Sequence, residues 1–263
     1  MSTILFPTDF SITANNAFLY ALNLAKVFNA DIRLITLKTH LNESLNMQEE
    51  EFNDKVNQLK LLASDYDLGD IKIRASLEFG DLLLTILDII KAEKIRYVVM
   101  GTNGENNFDK KVFGSFTLSV INNVSVPVVA IPNHVKYKKE RKFAYATLFD
   151  KKEDKAVEEM IAITKAHHTR LNAVHIEDKT PTVDERIDRQ EWESKFPEVD
   201  VEIVKSEFIE DALVNYCQVN KIDVLGIVHR DLNFFQRLFS KNYSKELLTN
   251  ADCAIVVLKG DKE

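Results

Sequence analysis

Thr3-Ile4-Leu5-Phe6-Pro7-Thr8-Asp9-Phe10-Ser11 stands at the start of the chain and decides how the rest is read. Its first five residues are a short apolar run with the character of a buried strand. Thr8 to Ser11 supply turn and helix-capping chemistry. Beyond them Ala14, Ala17, Phe18, Ala21 and Ala25 recur at helical spacing up to about Phe28. Working outward, the pattern alternates: a strand at 32–37, an acidic amphipathic helix at 41–65, a strand at 71–74, an apolar helix at 82–92, a strand at 97–100, a helix at 116–123 and a strand at 127–132. Strands alternating with helices predict parallel pairing with helices on both sheet faces, an α/β fold.

Residues 133–142 are basic and polar without an apolar period, and read as a linker. After them the pattern restarts: strand and Phe-Asp at 144–150, helix 156–166, strands 171–176 and 201–204, helix 213–219, strand 223–228, helix 243–248 and strand 253–258. Leu5-Phe6-Pro7-Thr8-Asp9 matches Ala146-Thr147-Leu148-Phe149-Asp150, and Val112-Phe113 matches Leu238-Phe239. The offset drifts from 141 to 126, so the second copy is the shorter of a tandem duplication. Two domains are expected, 1–138 and 139–263.

Composition excludes whole classes. The net charge of −7 argues against sequence-independent nucleic-acid binding. No apolar run reaches the roughly 18 residues of a membrane span, and the start lacks a basic segment followed by an apolar one. Cys217 and Cys253 are too few for a disulfide scaffold and read as reduced core thiols of a cytoplasmic protein. No Gly-x4-Gly-Lys-Ser/Thr, Cys-x2-Cys or His-Glu-x2-His occurs, nor a nucleophile elbow. His167-His168 reads as dipole capping of a helix end, and His175-Ile176-Glu177 as a loop rim.

Glycine is scarce, 7 in 263 residues, yet three stand close together. Gly101-Thr102-Asn103-Gly104, nine residues, then Gly114-Ser115 give Gly-x2-Gly-x9-Gly-Ser between a strand and a helix. Glycines there permit positive φ and close backbone approach to an anion. The helix opened by Ser115 offers unpaired N–H groups to phosphate. Ligands of parallel α/β sheets sit outside the carboxyl ends of the strands, where Pro7, Thr8, Asp9, Leu37 and Met100 fall. Asp9 suits a ribose hydroxyl, and Leu37 and Met100 suit the flanks of a base. The alternatives are a helix N-cap for Asp9, tight turns for the glycines, and plain core for Leu37 and Met100.

The opening segment together with Gly101-x2-Gly104-x9-Gly114-Ser115 resembles the universal stress protein family, and the likeness extends over both halves, as in its tandem members. The resemblance implies two Rossmann-like domains of the adenine nucleotide alpha hydrolase-like type, each a five-stranded parallel sheet. It implies that ATP, or AMP or ADP, is bound in the first domain, with Mg2+ carried by the nucleotide. Asp9 is then expected at the nucleoside, and Gly101, Thr102, Gly104, Gly114, Ser115 and Thr117 around the phosphates, with Phe116 inside the Gly-Ser-x-Thr continuation. Asn103 departs from the histidine that many members carry.

The second copy lacks this pattern. Aligning Asp223 with Arg96 places Val228 at the first glycine and Asp231 near the second; aligning Phe239 with Phe113 places Ser240 and Lys241 at Gly114 and Ser115. The expectation is one nucleotide-binding domain and one degenerate one, pairing through their last strands as an intramolecular pseudo-dimer, with a further homodimer left open. The function expected is a stress-response binding or sensing module, with at most slow ATP hydrolysis. The rivals are a nucleotide-free interaction protein and a nucleotide-using enzyme, the latter lacking a cationic phosphate clamp.

Overall fold

The structure, a computed structural model, describes residues 2–37, 45–102, 115–139, 141–178, 180–229 and 253–260. The chain divides into two compact units, Met1–Tyr137 and Lys138–Glu263.

The first unit runs β1 (Thr3–Pro7), α1 (Ile12–Phe28), β2 (Asp31–Leu37), α2 (Leu45–Asp65), β3 (Ile73–Glu78), α3 (Leu82–Ala92), β4 (Ile95–Gly101), α4 (Ser115–Asn123) and β5 (Val128–Ile131). Its strands pair in parallel in the order β3-β2-β1-β4-β5. Order reverses between β1 and β4, and that switch point opens the ligand crevice of a doubly wound sheet at the carboxyl ends of those two strands. The core explains the order: β1 is buried along its whole length, and Val98, Val99, Val128 and Ile131 are likewise closed to solvent. Each such side chain contributes about 1.5–3 kcal/mol by leaving water.

The second unit runs β6 (Phe143–Ala146), a 3-10 turn (Lys151–Glu153), α5 (Asp154–Ala166), β7 (Leu171–Glu177), α6 (Val183–Lys195), β8 (Val199–Lys205), α7 (Ile209–Asn220), β9 (Val224–His229) and β10 (Ala254–Lys259). Its parallel order, β8-β7-β6-β9-β10, repeats that of the first unit strand for strand.

Four readings of the sequence need correction. The third strand lies at Ile73–Glu78 rather than 71–74. As an edge strand it buries no side chain fully, so it lacks the alternation that marks a covered strand. The helix α6 is missing from the sequence reading because, among its described side chains, Trp192 alone is buried and most others are charged. Residues 133–137 are not free linker. Asn16 donates to the Val135 carbonyl and accepts from Tyr137 N–H at 2.9 Å, and Tyr137 packs edge-on against Tyr20 and Tyr66. Finally, the repeat offset is 139 through β1, α1 and β2, not 141. Thr8 N–H donates to Ile35 O and Thr147 N–H to Val174 O; the left-handed residues Asn29 and His168 close the two first helices. The strand registers then give 126 at β3 and β8 (Ile32 opposite Ile73, Leu171 opposite Val199) and 127 at β4 and β9 (Leu5 opposite Val98, Ala144 opposite Leu225). The deletion therefore falls between the second and third strands of the repeat, where a 21-residue helix shrinks to 13.

Candidate functional site

The crevice of the first unit is built from two strand ends. Beyond Pro7, Thr8 Oγ1 accepts the Phe10 N–H at 2.9 Å and Asp9 Oδ1 accepts the Ser11 N–H at 3.0 Å. These two side-chain-closed turns hold Phe10 in the left-handed region, φ 57°, a conformation costing about 1–2 kcal/mol for a residue with a Cβ. The Phe52 ring of α2 meets Phe10 edge-on at 6.1 Å, and Lys55 Nζ lies 5.7 Å from the Phe10 ring centre, which helps to offset that cost. Ser11 caps α1, its hydroxyl accepting from Ala14 N–H at 3.2 Å. The N-cap role left open for Asp9 thus belongs to Ser11. Asp9 stays exposed at the strand end, its carboxylate shaping the turn.

The second strand end is Met100-Gly101-Thr102. Met100 is buried at 5% exposure, while Leu37, at the end of β2, is half-exposed. Gly101 is not in the left-handed region. Its reason is proximity: a Cβ there would come within 3.3 Å of Thr13 Cγ2 in the first turn of α1. Met100, one residue earlier, faces the opposite side of the sheet. Thr102 is 3% exposed, and its N–H donates to Ile131 O, continuing the ladder past β4.

Thr117 is 1% exposed, and its hydroxyl lies 3.3 Å from Thr102 O and 3.5 Å from Gly101 O. It ties the first turn of α4 to the end of β4. In this structure it holds together the two ends, Thr102 and Ser115, between which the glycine segment runs. Phe116 beside it is half-buried. Gly104 and Gly114 lie outside the described residues, as do Leu238-Phe239 and the helix expected at 243–248; of Ser115 only the backbone is described.

The second unit repeats the turn and changes its chemistry. Thr147 Oγ1 accepts Phe149 N–H at 2.9 Å, and Phe149 has φ 58°. Trp192 and Arg189 of α6 flank its ring as Phe52 and Lys55 flank Phe10. The counterpart of Phe10 is thus Phe149, that of Ser11 is Asp150, and that of Asp9 is Leu148. Asp150 does a cap's work, accepting from Lys152 N–H. Pairing Asp9 with Asp150 on sequence was wrong by two residues, and an exposed leucine stands where the first unit has its carboxylate.

At the other strand end the register puts Val228 where the first unit has Gly101. Gly260 correspondingly replaces Asn133. A Cβ on Gly260 would come within 3.2 Å of Val228 Cγ1 and 3.3 Å of Lys152 O. Size is exchanged between the two positions: the strand-end side chain grows and the residue after the last strand shrinks to admit it. The 127-residue offset is the same on either side of 230–250, so Asp231 matches Gly104 and Lys241, not Ser240, matches Gly114 in sequence. Gly226 sits within β9, packed under Met160. Lys259, at the end of β10, is pushed down to about 8 by burial.

Elsewhere, His167 is held down to about 4 by burial first and then by the Arg141 guanidinium and His168. Its ring stacks on Phe143. His167, at the C-cap of α5, therefore brings no positive charge to that helix end at pH 7. His175 Nδ1 lies 2.8 Å from Thr147 O and its ring packs on Phe149, so it braces the turn. Cys217 and Cys253 are buried free thiols. Among the described residues no group of His, Cys, Asp and Glu could hold a metal ion, and no helix is long and apolar enough to cross a membrane.

The fold and this crevice define a doubly wound parallel α/β protein with a glycine-marked strand end at its switch point. The chain belongs to the universal stress protein family, whose family model matches residues 1–132. It is 27% identical over 139 residues to a curated universal stress protein of Methanocaldococcus jannaschii, covering 49% of this chain and 80% of that relative. In structure it is similar along 99% of its length to a universal stress protein from Archaeoglobus fulgidus DSM 4304 (97% of that chain, TM-score 0.72, 20% identity). A putative universal stress protein from Pseudomonas aeruginosa UCBPP-PA14 shares the fold over 99% of this chain and 93% of its own, with TM-score 0.68 and 14% identity.

Proposed function

We propose that the first unit binds ATP or another adenine nucleotide in the crevice between the ends of β1 and β4, and that the chain is a cytoplasmic binding or sensing module. The observation that carries the reading is the juxtaposition of the Thr8–Ser11 turn with Gly101-Thr102. Adjacent parallel strands bring a carboxylate suited to a ribose hydroxyl beside the anchored ends of the glycine segment. The first turn of α1 carries no acidic residue, so its N-terminal dipole favours phosphate. Leu37, half-exposed at the end of β2, would flank the base, and Met100 is buried in the core. Mg2+ would arrive with the phosphates.

No described group is positioned to activate water, so at most slow hydrolysis is expected. The second unit binds no nucleotide in this reading, because Val228 occupies the strand end that Gly101 leaves open and Leu148 replaces Asp9. Mass spectrometry of nucleotide carried through native purification tests the proposal. Wild type should carry an adenine nucleotide, and Asp9→Asn, which keeps an acceptor for Ser11 N–H, should carry far less. Equal loading of both would overturn the role of Asp9, and a chain that neither carries nor accepts adenine nucleotide would leave the interaction-protein reading.

A further inference from the structure

The two units offer an internal comparison at one position whose chemistry differs most. Residue 14, in the first turn of α1, is alanine, 6% exposed, and its N–H is taken by the capping Ser11 hydroxyl. The equivalent residue, 139 positions on, is Glu153, 1% exposed. Its carboxylate accepts from Thr147 Oγ1 at 2.7 Å, and its two oxygens lie 3.2 Å and 3.3 Å from Leu148 N. Thr147 and Leu148 are the counterparts of Thr8 and Asp9. The second unit thus holds a buried carboxyl group of its own directly beneath the turn that edges the crevice. Asp150 and Asp154 stand at the same helix start, while the first turn of α1 has no acidic residue.

We infer that position 14 determines which unit accepts an anionic ligand: alanine keeps the floor of the first crevice uncharged, and Glu153 makes the second refuse anions while fixing its turn without a ligand. The inference rests on the nucleotide reading for the first unit, but its physical basis is the Glu153 geometry. The turn itself is the same in both units: the same threonine-to-phenylalanine N–H bond, the same left-handed phenylalanine and the same strand register. The helix start after it differs, Ala14 lying inside α1 and Glu153 ending the 3-10 turn before α5, so thermal melting checks that glutamate is accepted at 14. Its carboxylate would meet donors at Thr8 and Asp9 placed as Thr147 and Leu148 are. Size alone cannot produce the effect, since glutamine has nearly the same shape, and this separates charge from crowding.

The test is calorimetric titration of the full-length Ala14→Glu and Ala14→Gln variants with Mg-ATP, alongside thermal melting. Ala14→Glu should weaken binding by about thirtyfold, the factor that like charges about 8 Å apart impose at an effective dielectric near 20. Ala14→Gln should lose less than about fivefold, and both should melt cooperatively as wild type does. Equal weakening by the two variants, or unchanged affinity in Ala14→Glu, would overturn the charge argument. Hydrogen exchange in Glu153→Ala supplies a readout that needs no nucleotide: the Leu148 amide should exchange about tenfold faster or more, with Glu153→Gln intermediate. Unchanged exchange at Leu148 would overturn the anchoring role. A wild-type chain that takes no ATP would remove the nucleotide reading and the ligand half of this inference together, while the exchange result still decides the part played by Glu153.

Discussion

Replacing Thr117 by valine removes one hydroxyl and nothing else of size, at a residue 1% exposed that touches both ends of the glycine segment's anchorage. Wild type has one O–H shared between Thr102 O at 3.3 Å and Gly101 O at 3.5 Å. Both separations exceed the usual 2.7–2.8 Å for O–H···O, so the bond itself belongs at the low end of its range, about 0.5–1 kcal/mol. Valine also leaves a buried carbonyl at Thr102 with one partner fewer, adding about 1 kcal/mol. The sum, about 1.5–2 kcal/mol, lowers the melting temperature of a unit this size by roughly 5–8 °C. Because Thr102 precedes the glycine segment and Ser115 follows it, loosening the tie should also weaken ATP binding by about tenfold. Thr117→Ser, which restores the hydroxyl, should recover most of both. Differential scanning calorimetry and ATP titration of the two variants provide the measurements. If Thr117→Val melts and binds like wild type, the tie contributes nothing. If it loses affinity with no loss of stability, the hydroxyl touches the ligand, and the positioning role is wrong.

Two further outcomes follow from the second unit. The folded-state pKa of His167 is depressed to about 4 from an ordinary 6.5, so the unfolded chain takes up the proton first. The stabilisation is therefore full above pH 6.5 and is lost as pH falls towards 4. Discounted for partial exposure it amounts to on the order of 1 kcal/mol, and melting of His167→Gln between pH 7 and 4 should show a correspondingly shallower decline. At Gly226 a Cβ would meet Met160 Cε and Sδ at 2.9 Å and Cγ at 3.1 Å. Gly226→Ala should cost about 1–2 kcal/mol, and denaturant titration of the double variant with Met160→Ala should show less than the sum of the single losses; strict additivity would mean that the two residues do not compete for space.

Much of the fold could be read from the sequence because covered strands and two-faced helices imprint their periods on it. Thr3–Pro7 and Leu82–Ala92 needed no revision, and β4 and β5 needed only their ends adjusted. What escaped was whatever carries little apolar signal. The edge strand β3 is half-exposed along its length, and α6 is a charged helix held by Trp192. The site was legible as residue types but not as roles. Asp150 looked like the partner of Asp9 because both are aspartates after a phenylalanine-containing run. Only the Thr147–Phe149 bond and the left-handed Phe149 show that Leu148 holds that place. Thr117 lay in a phosphate-like motif, yet its burial and carbonyl partners make it a tie. Glu153 gave no sequence signal at all, since nothing in Lys151-Lys152-Glu153 distinguishes a buried carboxylate from a solvated one. Val228 in the place of Gly101 was legible from aligning Asp223 with Arg96, but its compensation, Gly260 in the place of Asn133, is visible only once the strand registers fix which residues correspond.

The central claim is that one unit of two holds a nucleotide, and isothermal titration of the full chain with ATP tests it most directly. The account predicts saturable heat with one site per chain, its affinity lowered about thirtyfold by Ala14→Glu and the site number unaltered by Val228→Gly. Two equivalent sites, or no heat at millimolar ATP, would contradict it.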